Sequence, residues 1–332
     1  MVSMSIAPWY FLIALALVEQ SRSQERSEVA TSAEAALKKT ENSEITPSHV
    51  YQEMALAKFE IDLIRLEMGK PKVAAPPIRV EKAAPREVYF QALTLFRKAD
   101  RLAFEHTRER VAEPSLPVGE IRPRNVRLMV IAARDRIGKV KTALDIPEPV
   151  ITPALETGIE PSQVFNAIIA ANAELNQLLD QKFAPGDVYK QVTTAIAYMA
   201  RLIDSTGELS TPPAPPPFER RKRPADVYRK LITCFEEIHE LGERSGVTML
   251  ELKVDEAQIE RVEPSDVYDV ASLLVSELAY LHSQRASALP PRNVYSPGKK
   301  LPSHVFQRIG ILCGQMEMLQ RKVGADPDWL KH

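Results

Sequence analysis

The stretch Val262-Glu263-Pro264-Ser265-Asp266-Val267-Tyr268 decides the fold, because the chain writes it eight times. The other copies begin at Pro47, Pro85, Pro123, Pro161, Pro185, Pro224 and Pro302. Each reads proline, two mostly polar residues, valine, then an aromatic in every copy but one, where Arg127 follows Val126. Proline suits the first position of a helix, where its missing N–H has no partner to lose and its fixed φ is already helical. The third helical residue is then Asp187, Asp226, Asp266, Glu87, Asn125, Gln163, His49 or His304. An acid at this position meets the positive end of the helix dipole. Ile45, Ile121, Ile159, Phe183 and Val262 stand two residues ahead of their prolines, at the spacing of a hydrophobic staple to the repeat valine.

From each valine the same apolar spacing runs on at +4, +7, +11 and +14. The seventh helix reads Val267, Ala271, Leu274, Leu278, Leu281. Its counterparts extend from Val50, Met54, Ala57, Ile61, Ile64 in the first to Val305, Ile309, Leu312, Met316, Leu319 in the eighth. This is a heptad seam, the narrow stripe of a helix in a bundle. The chain is therefore expected to be all-α.

The prolines stand 38 residues apart through Pro161, drop to an interval of 24 at Pro185, then resume at 39, 40 and 38. Eight helices thus divide as four plus four, which predicts two tandem four-helix bundles from an internal duplication, over residues 44–183 and 184–324. Long Pro-rich linkers support the pairing: Ala75-Pro76-Pro77-Ile78-Arg79 before helix two matches Pro215-Pro216-Pro217-Phe218-Glu219 before helix six. Such segments favour extended polyproline conformation and are long enough to return along a whole helix. Up-and-down order is the default for small bundles, with parallel neighbours left open. Apolar linker residues such as Leu252 and Ile259 imply strips laid on the helices, with the aromatic beside each valine as their contact.

Composition narrows the function classes. The 332 residues include only 12 glycines, which suits helices, and 26 prolines, which fall at helix starts and between helices. A net charge of −1 gives no bulk attraction to nucleic acid or anionic lipid, and the one basic cluster, Arg220 to Arg223, reads as a solvated loop. Residues Ile6 to Val18 form an uncharged run too short to span a bilayer. Its length suits a secretory signal over residues 1–23, with small residues Ser21 and Ser23 for cleavage, although no Lys or Arg precedes it. An uncleaved anchor is the alternative. Residues 24–43 read as a polar tether and 325–332 as a tail. The expected location is periplasmic or extracellular, with no other membrane span.

The search for chemistry finds candidates but no site. Cys234 lies on its seam and Cys313 beside its own. Packed helix axes stand about 8–10 Å apart, so two buried, unpaired thiols are expected rather than a bridge. Glu236 and His239 form one Glu-x-x-His, but a carboxylate-bridged metal bundle needs a second. His49 and His304 read as exposed helix-start residues, while His106 and His282 lie near helix ends, where a cation complements the dipole. No phosphate loop, nucleophile elbow or zinc motif occurs. Catalytic, cofactor-binding and metal residues are therefore predicted as none. The duplicated helical organisation resembles periplasmic bundles of the imelysin type, but that family's Gly-x-His-x-x-Glu motif is absent. The sequence points to a non-catalytic exported scaffold with a protein partner in the cell envelope. Its alternative is a sensor-like bundle holding a small ligand, for which Ala57, Ala133 and Ala171 offer one possible cavity.

Overall fold

A computed structural model describes residues 45–72, 78–117, 119–204, 213–285, 291, 297–324 and 329–331. The expected signal and tether lie outside the described residues, as do parts of the linkers and of the tail. The described chain is all-α apart from one pair of two-residue strands. Its eight long helices are α1 (Pro47–Glu67), α2 (Pro85–Thr107), α3 (Pro123–Ala143), α4 (Pro161–Leu178), α5 (Pro185–Asp204), α6 (Pro224–Arg244), α7 (Pro264–Ser283) and α8 (Pro302–Val323). All eight begin on the repeat proline. Strands β1 (Ile78–Arg79) and β2 (Lys253–Val254) pair antiparallel, Ile78 opposite Val254. A single helical turn, Glu256–Ile259, and a 3-10 turn, Trp329–Lys331, complete the elements. Among the described residues no helix is long and apolar enough to cross a membrane.

The helix starts share one device. The third residue of every helix reaches back and accepts the N–H of the residue before the proline. His49 Nδ1 accepts from Thr46, Asn125 from Arg122, Gln163 from Glu160, Asp266 from Glu263 and His304 Nδ1 from Leu301, at 3.2, 2.9, 2.8, 2.7 and 3.0 Å. Glu87, Asp187 and Asp226 do the same. What the position requires is an acceptor, not a charge, which explains why Asp, Glu, Asn, Gln and His all serve.

The seam residues form the core without exception: none of them in any helix is more than 2 % exposed. The helices pack as two quartets. In the first, α3 contacts α1 and α2, and α4 contacts α1 and α2, so α1 lies diagonally across from α2. In the second, α7 and α8 each contact α5 and α6, which repeats the same arrangement. Within each quartet the helices are parallel. The four starting prolines and their valines meet around one small apolar void: Pro47/Val50, Pro85/Val88, Pro123/Val126 and Pro161/Val164 in the first, and the matching pairs from Pro185 to Val305 in the second. Up-and-down order is thus corrected. The physical reason lies in the linkers, whose 15 to 19 residues can return extended along a helix of about 30 Å.

Those return strips are fastened to the helices they cross. Asn166 of α4 bonds both the N–H and the C=O of Val80, at 3.0 and 2.8 Å. Gln52 of α1 donates to Pro153 O and Gln307 of α8 donates to Pro216 O, at 2.7 and 2.8 Å. Close approach demands glycine at two places: a Cβ on Gly310 would stand 2.5 Å from Pro216 Cγ, and one on Gly242 only 2.1 Å from Met249 Cγ. Three of the repeat aromatics have close partners: Tyr268 stacks on Phe183 with centroids 4.1 Å apart, and Lys222 and Lys300 cover Phe306 and Tyr189.

Only residues 179–184 join α4 to α5, too few to return along a helix. The second quartet therefore starts where the first ends and runs back beside it. Arg86 at the start of α2 pairs with Glu277 late in α7, and Lys98 further along α2 pairs with Asp269 early in α7. The two quartets are antiparallel.

Candidate functional site

The junction between the quartets carries the polar chemistry that the seams lack. Helices α2, α4 and α7 are buried on nearly every face, because each has a seam turned to its own quartet and a second face turned to the other. On that second face lies Lys98, fully buried. Its Nζ stands 2.6 and 2.7 Å from the two oxygens of Asp269 and 3.3 Å from the carbonyl of Asn172. Burial raises the Asp269 carboxyl to about 6, against the opposing pull of Lys98, and burial also lowers the Lys98 amine. Asp266 is raised by burial too, and its Oδ1 lies 3.5 Å from Asn176 Nδ2. A void of about 20 Å³ borders Asp266, Asp269, Gln91 and Tyr228, room for one water among polar partners.

Nearer the start of α2, Arg86 is a hub. It donates to Glu277 Oε1 at 2.8 Å, bonds Glu87, and lies 3.6 Å over the ring of Tyr280. Glu277 is itself fully buried and accepts the N–H of Leu250 at 3.1 Å. Burial raises the Glu87 carboxyl to about 7; Arg86 opposes that shift and Glu277 adds to it. Of these groups, Arg86 and Tyr280 line a groove of about 630 Å³. Phe90, Leu116, Pro117 and Ile121 make one side apolar, while Tyr198, Tyr280 and His282 make the other aromatic. Tyr198 meets His282 edge to face at 5.4 Å. His282 is buried and its pKa is lowered, first by burial and then by Arg201 and Arg285. The ring forms part of the groove's aromatic wall at the end of α7.

Other sequence candidates fall elsewhere. His49 and His304 are helix caps with partners in different quartets, Thr46 for one and Leu301 and Phe218 for the other. Glu236 is exposed, and His239 Nδ1 lies 3.2 Å from Met249 O, so they form no pair. Ala57, Ala133 and Ala171 are buried in the seam, while the ligand-sized volume lies outside it, at the junction. The two cysteines are free, but their sulfurs approach to 3.0 Å, and Cys313 is only partly buried. The two thiols are unpaired as expected, but Cys313 is not fully buried and the distance argument against a bridge is corrected. Axes 8–10 Å apart do not keep seam Cα atoms apart, because each Cα stands about 2.3 Å off its axis toward the neighbour.

The sequence analysis missed the junction because Lys98, Asn172 and Asp269 lie off the seam. A signal was present: from Pro161 to Leu178 the only charged residue is Glu174, which implies burial all round. No family model, curated protein or solved structure matches this chain.

Proposed function

We propose that the chain is a non-catalytic binding module acting outside the cytoplasm, and that its two quartets are tandem four-helix bundles copied from one unit. The matching pattern of helix neighbours in both quartets supports the duplication. The working surface is the junction groove, and its volume of about 630 Å³ is the observation that carries the reading, since pockets for small ligands run to roughly 300–1,000 Å³. Its walls fit an apolar or aromatic body. Native mass spectrometry of protein from its own host tests this. Wild type should carry a small-molecule adduct that is lost from Ser283→Trp, a substitution at the exposed rim of the groove. Equal adducts on both proteins, or none on wild type, refute the reading.

A second reading, a scaffold for a protein partner in the cell envelope, draws on the surface of the first quartet. Of the exposed large apolar side chains among the described residues, Phe59, Leu66, Val111, Leu116, Leu128, Ile151 and Leu155 belong to it, and only Phe218 and Leu301 to the second. Where exposed apolar side chains adjoin, they mark an interaction surface. A partner retained by wild type but lost from Leu66→Glu/Ile151→Asp would favour this reading.

A further inference from the structure

We propose that Cys234 and Cys313 are a disulfide-forming pair, with Cys313 as the entry thiol and Cys234 as the resolving thiol. The parallel order of the second quartet makes this possible. Helices α6 and α8 are ring neighbours rather than diagonal partners, and their starts are level. Cys234 is seven residues past its repeat valine and Cys313 eight past its own, so both stand at one depth. Their sulfurs are 3.0 Å apart, inside ordinary sulfur contact, so a bond requires closing only about 1 Å.

The two thiols are unlike, and the difference assigns their roles. Cys234 is fully buried and on the seam, whereas Cys313 is partly open to solvent. The sulfur–sulfur hydrogen bond holds the Cys313 thiol below the usual range and pushes that of Cys234 up. Cys313 is thus the more ready thiolate and the one an oxidant can reach. Beside them, the Glu237 carboxylate has an oxygen within 4.8 Å of both sulfurs, and its buried Oε2 has no hydrogen-bond partner. Glu236, Glu240 and Glu317 add to burial in raising its pKa, while Lys230 is the cation near the sulfurs.

The chemistry balances with a small-molecule or protein disulfide as oxidant. The Cys313 thiolate attacks one sulfur of that disulfide, forming a mixed disulfide and releasing one thiolate. Cys234 gives its proton to Glu237 and attacks the Cys313 sulfur, which releases the second thiolate. One disulfide is reduced to two thiols, and the pair Cys234–Cys313 is oxidised in its place. The product ties α6 to α8 across a loop of nearly eighty residues, and oxidant of this class persists in the extracytoplasmic compartment proposed above.

The test uses the full chain, reduced, desalted and exposed to oxidised glutathione, then denatured in an alkylating reagent and weighed intact. Wild type should take up no alkyl groups until it is reduced, and then two. Its peptide map should join the segments holding residues 234 and 313. Cys234→Ser should stop at a glutathione adduct on Cys313, and Cys313→Ser should leave Cys234 unmodified while the protein is native. The oxidised wild type should melt several degrees above the reduced form. Two alkylatable thiols after oxidation, or a persistent glutathione adduct on wild type, overturns the proposal. So does protection of both thiols by added zinc alone, reversed by a chelator, in protein that glutathione disulfide leaves uncrosslinked.

Discussion

Removing Lys98 tests whether the junction is held by a paired charge. Lys98→Ala leaves Asp269 facing Asp266, Asn176 and Tyr228 with no cation in reach of its two oxygens. Taking one partner from a buried pair costs about 3–5 kcal/mol. The protein can limit that loss by protonating Asp269, at a cost set by its ordinary value of 3.8. Holding such a carboxyl neutral costs about 4 kcal/mol at pH 7 and about 2 kcal/mol at pH 5. The wild-type carboxyl, at about 6, is itself mostly protonated at pH 5, so the variant should lose about 3–4 kcal/mol at pH 7 and much less at pH 5. The sign follows because a raised carboxyl stabilises the fold at low pH and loses that stability as pH rises. Replacing both partners, as in Lys98→Met/Asp269→Leu, should restore most of the loss. Urea unfolding at the two pH values reads all three proteins. A single-variant loss under about 1 kcal/mol, a loss independent of pH, or a double variant as weak as the single refutes the reasoning.

Two further outcomes follow from the same geometry. Glu87 stabilises the fold fully below pH 4.5, and that contribution drains away as pH rises through about 7. With Arg86, Glu277 and the Ala84 N–H as its neighbours, wild type should lose about 2 kcal/mol more than Glu87→Gln between pH 5.5 and 8; parallel pH profiles in urea contradict this. Gly310→Ala must push Pro216 off α8, since its Cβ would stand 2.5 Å from Pro216 Cγ. It should cost about 1–3 kcal/mol, and an unchanged melting temperature would show that the strip is not seated there.

How much of this was legible in sequence depends on which face of a helix is asked about. The seam from Val227 to Leu241 repeats at heptad spacing and can be read without neighbours, and every such residue is buried. The second faces of α2, α4 and α7 have no period of their own. Whether Lys98 meets water or Asp269 depends on a helix more than 150 residues away. Helix direction was equally hidden: linker length permits a parallel quartet but does not require one. Cys313 shows the cost of that gap, because the distance between two thiols on neighbouring helices depends on whether both count from the same end.

The diagonal placement of α1 and α2 bears on how the chain is made. A helix that leans on its immediate successor can form a hairpin as soon as both emerge from synthesis, but α1 rests on α3 and α4. Its seam stays without partners until the chain has grown past Pro123. Folding thus waits on distant segments, the circumstance that slows a chain and leaves it open to capture by chaperones. Under the export proposed above, that delay would be useful: the leading half would remain pliable until the whole first quartet had been delivered.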